Sequence, residues 1–145
     1  MNDKDLKKLL FKFYFDTIEV ECFEKSIYGD STLEDRIGSD DYIDLISINY
    51  KNKSDHIAAK EMIERVYSRE FSSDISKDYA VYVAKETLID GADLFEGCRI
   101  LSKLSIDYEN VDPVFCGYYD ELRSHPGQID FYRSRILNDL KKIAE

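Results

Sequence analysis

The chain has little that punctuates it: two prolines, Pro113 and Pro126, and six glycines among 145 residues. Breaks between elements must therefore be read from Asp/Ser clusters and changes of hydrophobic period, and no stretch has linker composition. The three cysteines, Cys22, Cys98 and Cys116, are odd in number and far apart, which argues against a disulfide framework and fits buried thiols in a reducing compartment. With two histidines, His56 and His125, and no close Cys or His pair, the ligands of a structural zinc site or a usual metallohydrolase are missing. Positive charge is scarce: 20 Lys and Arg face 30 Asp and Glu, and the net charge of −10 repels phosphate backbones and anionic headgroups. General nucleic-acid binding is excluded on that ground. No apolar run approaches the ~20 residues that cross a bilayer. The opening MNDKDLKKLL also lacks the apolar core and cleavage site of a secretion signal, so a cytoplasmic protein without a membrane partner is expected. Gly91, Gly97 and Gly117 make neither a Walker loop nor a dinucleotide fingerprint. Asp30, Asp40, Asp41 and Asp44 lack the alternating spacing, sixth-position Gly and twelfth-position Glu of a calcium loop. No cofactor and no metal are expected.

What the chain does have is apolar and aromatic residues, with eight Phe and eleven Tyr in a composition that is 43% hydrophobic, enough for a sizeable core. Its length suits one acidic helical domain spanning residues 1–145. Leu6, Leu9, Leu10 and Phe13 recur at helical spacing, which predicts a helix from Asp3 to about Tyr14. Asp16 or Thr17 is placed to cap a second helix, carrying Cys22, Phe23 and Ile27 and stopped by Gly29, and Ser31 or Thr32 starts a short one ending at Gly38. Residues 42–50, rich in β-branched and aromatic side chains, are ambiguous between helix and strand and are read as helix. Ser54 or Asp55 caps a helix with Ala59, Met62, Ile63 and Val66 on one face, beside which His56 reads as exposed. A helix over about Ile75–Ile89 ends at Asp90-Gly91, and Asp93 caps the next, with Leu94, Cys98, Leu101 and Leu104 in a stripe. Pro113 suits the first position of another helix, Pro126-Gly127 breaks the chain again, and Ile129, Tyr132, Ile136, Leu140 and Ile143 mark the last. The expected fold is all-α, a compact bundle of six to eight short helices.

Charge is unevenly spread. Residues 1–12 carry four Lys against two Asp and residues 133–145 four bases against two acids, so residues 13–132 hold −14. Within residues 13–50, ten acids (Asp16, Glu19, Glu21, Glu24, Asp30, Glu34, Asp35, Asp40, Asp41 and Asp44) face only Lys25 and Arg36. Such a run either solvates a small domain or offers a landing site to a basic protein partner. On the second reading Asp30, Glu34, Asp35, Asp40, Asp41 and Asp44 are candidate partner-binding residues. Tyr118, Tyr119, Asp120 and Glu121 join them, because tyrosines rimmed by acids resemble interface anchors. The alternative is that one of these tyrosines packs inward. No catalytic residue is expected: Cys116 and His125 have no activating context, and Cys116 reads as a packed thiol.

Two stretches carry a resemblance. The first is Cys22-Phe23-Glu24-Lys25-Ser26-Ile27-Tyr28, continuing through Leu33-Glu34 and Tyr42-Ile43-Asp44-Leu45-Ile46-Ser47-Ile48-Asn49-Tyr50-Lys51; the second is Gly91-Ala92-Asp93-Leu94-Phe95-Glu96-Gly97-Cys98-Arg99-Ile100-Leu101. They resemble small acidic bacterial proteins carried beside polymorphic or contact-dependent growth inhibition toxins, where they act as immunity proteins. In those relatives a Phe-Glu pair enters a helix ending in Tyr, then comes a Leu-Glu pair, then a Leu-Ile-Ser run ending in Asn or Asp and Tyr-Lys. The chain keeps that order, with Ser26 where an aromatic residue often stands. The resemblance implies a stoichiometric inhibitor, not an enzyme, that binds a basic cognate toxin domain, a nuclease being one such toxin. It carries over no contact residues, because those differ with each toxin. Two other readings stand beside it: an acidic regulatory or adaptor domain with another protein partner, and a small enzyme, which would need carboxylates converging in a cleft.

Overall fold

Apolar residues at three- and four-residue steps fold as helices throughout the computed structural model, which describes residues 1–145. Nine α-helices form: α1 (Asp3–Tyr14), α2 (Val20–Gly29), α3 (Ser31–Ile37), α4 (Ser39–Ile46), α5 (Lys53–Phe71), α6 (Ile75–Thr87), α7 (Leu94–Asp107), α8 (Val114–Ser124) and α9 (Ile129–Ala144). A 3-10 turn at Pro126–Gln128 precedes α9, and there is no strand. The fold is all-α as expected, with more helices than six to eight. Gly38, at φ 94°, turns the chain between α3 and α4, a backbone state that glycine reaches without steric cost. The ambiguous residues 42–50 are helical only to Ile46, after which the chain turns to bring Tyr50 inside. No helix is long and apolar enough to cross a membrane.

Several boundaries differ from the sequence reading for identifiable reasons. Asp16 adopts φ 57°, and the amide of Thr17 donates to the carbonyl of Lys12 at 2.8 Å, so these two residues close α1 in a Schellman-type turn instead of opening α2. Ser31 starts α3 as expected, with Asp30 as its cap, whereas α5 is capped not by Ser54 or Asp55 but by Asn52, two residues before Ser54. Asp30 accepts from the Thr32 amide at 2.9 Å and Asn52 from the Ser54 amide at 3.1 Å. A hydroxyl two residues on is then free to reinforce the same acceptor, as Thr32 Oγ1 does at 2.6 Å and Ser54 Oγ at 2.8 Å. Asp93 caps α7 as predicted, accepting from the Glu96 amide at 3.1 Å. Pro113 stands one place before α8, whose first amide, Val114, donates to Asp112 Oδ1 at 2.9 Å.

Contacts gather the chain into two compact units, Met1–Ile75 and Ser76–Glu145. In the first, Phe13 and Phe23 stack with centroids 4.4 Å apart, and Tyr50 meets both edge-on at 5.7 and 5.8 Å. The Tyr50 hydroxyl donates to the Leu45 carbonyl at 2.7 Å, and burial pushes this phenol above its ordinary pKa. His56 is half-buried, not exposed: its Nε2–H donates to the Tyr50 carbonyl at 2.6 Å and its ring packs edge-on to Phe13. Leu6, Leu10, Ile27, Leu33, Ile63 and Tyr67 complete this core.

In the second unit Leu94, Cys98, Leu101 and Leu104 of α7 are buried, as are Phe115 and Leu122 of α8 and Ile136 and Leu140 of α9. Gly97 lies against Thr87 of α6, where a Cβ would come within 2.4 Å of the threonine's Cγ2 and Oγ1. The absent side chain is what lets α7 approach α6 so closely.

Candidate functional site

The ten acids of residues 13–50 divide into two populations. Four have partners within their own unit. Asp16 accepts from Lys60 Nζ at 2.9 Å, Asp30 caps α3, and Glu34 accepts from Ser39 Oγ at 3.0 Å. The hydroxyl and then the amide of Thr32 hold the Asp30 carboxyl below its usual range. The fourth, Asp41, is bound by two guanidiniums, through Arg65 Nη2 at 3.0 Å and Arg69 Nη1.

Asp41 belongs to a chain of alternating charge, Asp3–Arg36–Glu70–Arg69–Asp41–Arg65, that links α1, α3, α5 and α4. Arg69 Nη2 also donates to the Ile37 carbonyl at 2.8 Å, which satisfies the end of α3. The side chain of Asp41 is only 13% exposed. Hydrogen bonds from Arg69, then Arg65, outweigh its desolvation and keep its carboxyl below the usual range. Three acids and three bases leave this network neutral, so the unit's excess negative charge lies elsewhere.

The carboxylates of the other six, Glu19, Glu21, Glu24, Asp35, Asp40 and Asp44, have no hydrogen bond or ion pair. On α4, Asp40, Ile43, Asp44 and Ser47 succeed one another at i, i+3, i+4 and i+7 and are all exposed, a stripe facing solvent while Leu45 packs inward. On α2, Glu21, Glu24 and Tyr28 share a face and line one shallow concavity with Lys25. The two helices are clasped reciprocally. Tyr28 donates to the Ile46 carbonyl at the end of α4 at 2.5 Å, and Tyr42 to the Ile27 carbonyl near the end of α2 at 3.2 Å. Ile43 and Tyr28 are 53% and 51% exposed. Neither is a candidate from sequence. Tyr28 is visible there only as a helix-ending aromatic, and Ile43 lies in a run too evenly apolar to show a phase.

The remaining candidates lie in the second unit. Tyr118 is half-buried between Phe115 and Tyr132, and its hydroxyl donates to Asp139 Oδ2 at 2.5 Å, joining α8 to α9. Desolvation, then the Asp139 carboxylate, push this phenol up to about 12. Tyr119, also half-buried, packs against Phe95, with the Arg123 guanidinium 5.6 Å from its ring centroid. Asp120 and Glu121 are exposed, the latter 4.0 Å from His125 Nδ1. The Cys116 thiol lies 3.1 Å from Ser105 Oγ and 3.4 Å from Ser102 Oγ, so Cys116 and His125 have separate partners. Burial raises the Cys98 thiol to about 12, and no three Cys, His, Asp or Glu side chains converge as metal ligands.

Compared with protein-family models, with curated proteins and with solved structures, the chain matches none of them.

Proposed function

We propose that this protein is an immunity protein, a non-catalytic inhibitor that binds a basic toxin domain in the cytosol of the producing cell. The observation that supports this reading is the sorting of the acids. Where the first unit needs a carboxylate for its own architecture it pairs it, and six more in the same stretch, four of them on α2 and α4 beside exposed apolar side chains, have no partner. Unpaired like charges repel one another in the folded protein, and a basic surface relieves that repulsion on contact. Opposed potentials also speed encounter and reject wrong partners, which suits an inhibitor that must capture one toxin before it acts.

The test is titration against the C-terminal domain of the protein encoded immediately upstream, with co-expression to score growth. The expected outcome is tight 1:1 binding and rescue from toxicity. Asp40→Lys with Asp44→Lys should weaken that binding about tenfold or more and flatten its salt dependence while leaving the helical spectrum unchanged. No binding and no rescue would refute the proposal.

A further inference from the structure

The acidic face is not uniformly acidic, and the interruptions are ordered. On α4 the exposed Ile43 stands between Asp40 and Asp44; on α2 the exposed Tyr28 comes after Glu21 and Glu24 on one face, with Lys25 beside them. The carbonyl that holds the Tyr28 hydroxyl belongs to Ile46, about one helical turn beyond Ile43, so the tip of Tyr28 reaches the C-terminal end of the same short helix that carries Ile43. Tyr28 is half in solvent yet fixed by that hydrogen bond, so little side-chain freedom remains to be lost on binding. A surface that imitated a nucleic-acid backbone would present carboxylates alone. This one presents two large apolar groups among them.

We infer that binding at this face is anchored by Ile43 and Tyr28, and that the partner meets it with an apolar depression ringed by Lys and Arg. The inference rests on the reading of the chain as an inhibitor of a basic protein and specifies the partner's surface. Exposed ion pairs add little net affinity because water and salt compete for them, whereas a buried tyrosine or isoleucine removes apolar area from water and is not screened. The two classes of residue then divide the kinetics: the carboxylates govern association, the apolar pair dissociation.

Stopped-flow or surface-plasmon measurements against the upstream-encoded domain separate these roles. Ile43→Ala should raise the dissociation rate about tenfold with the association rate unchanged. Tyr28→Ala should do the same, and Tyr28→Phe, which keeps the ring, should lose less, which controls for loosening of the clasp to Ile46. Asp40→Asn with Asp44→Asn should slow association, an effect that fades by about 0.5 M salt. If Ile43→Ala binds as the wild type does and the carboxylate variant carries the loss in dissociation, the anchor assignment is wrong and the immunity reading stands. If the domain does not bind the wild type, the immunity reading fails and this inference with it.

Discussion

Replacing Asp41 with Asn tests whether the alternating network supports the first unit. The substitution keeps the shape and one acceptor but removes the charge shared by Arg65 and Arg69. Hydrogen bonds to charged groups contribute roughly 1.5–3 kcal/mol each when shielded. Here Arg65 is 62% exposed and regains water, and Arg69 keeps Glu70 and the Ile37 carbonyl, so the loss falls at the low end, about 1.5–2 kcal/mol at pH 7. For a unit of this size that is a fall of about 1–2 M in the urea midpoint measured by far-UV circular dichroism. The pH dependence has a definite sign. The folded-state pKa of Asp41 is depressed, so its contribution is fully present above the unfolded value of about 3.9 and is lost as pH falls through the lower folded value. Wild type and Asp41→Asn should therefore differ at pH 7 and draw together as pH falls through the depressed folded-state value, below which both carry a neutral side chain. A difference below about 0.5 kcal/mol at pH 7, or one undiminished at the acid end, would refute the reasoning.

Packing in the second unit and thiol burial give two further outcomes. Gly97→Ala gains about 1 kcal/mol of helix propensity but drives a methyl into Thr87, whose own hydroxyl is held to the Val83 carbonyl at 2.7 Å; thermal unfolding should show a net loss of about 1–2 kcal/mol, smaller when the same change is made in a Thr87→Ala background, which lacks both the Cγ2 and the Oγ1 that clash. With a thiol reagent at neutral pH, exposed Cys22 should react first, and Cys98, buried and with its pKa raised to about 12, only on unfolding; fast modification of all three thiols without denaturant would show that the second unit opens readily.

The fold was legible because helix class depends on period, and Leu6, Leu10 and Phe13 or Leu94, Cys98 and Leu101 repeat at helical steps whatever their tertiary partners. Boundaries were less so. Asp16 and Thr17 have the chemistry of either a helix stop or a helix start, and only the backbone path, left-handed at Asp16, decides between them. The candidate site was legible as charge density but not as geometry. Tyr118 reads as an anchor because it is a tyrosine beside acids, yet its hydroxyl is taken by Asp139, twenty-one residues away, a partner that no local pattern reveals. Tyr28 and Ile43 escape a sequence reading for the converse reason: exposure is a property of the surface left after packing, and an isoleucine in an apolar run carries no mark that it stays outside.

Asp40 and Asp41 are adjacent acids in one run, indistinguishable by composition, but successive residues of a helix point about 100° apart. One turn of α4 therefore gives Asp41 to Arg69 and Arg65 and leaves Asp40 in solvent without a partner. Reversing both, the obvious way to probe an acidic patch, would place a lysine against two guanidiniums, and the weakened binding would report unfolding as much as lost attraction. The informative pair is Asp40→Lys with Asp44→Lys set beside Asp41→Lys alone. The first should retain the wild-type unfolding midpoint and lose association rate; the second should lose the midpoint, with any surviving folded fraction associating at nearly the wild-type rate. If both variants lost association rate equally at unchanged stability, Asp41 would be a contact residue and the division of the acids into structural and free would be wrong.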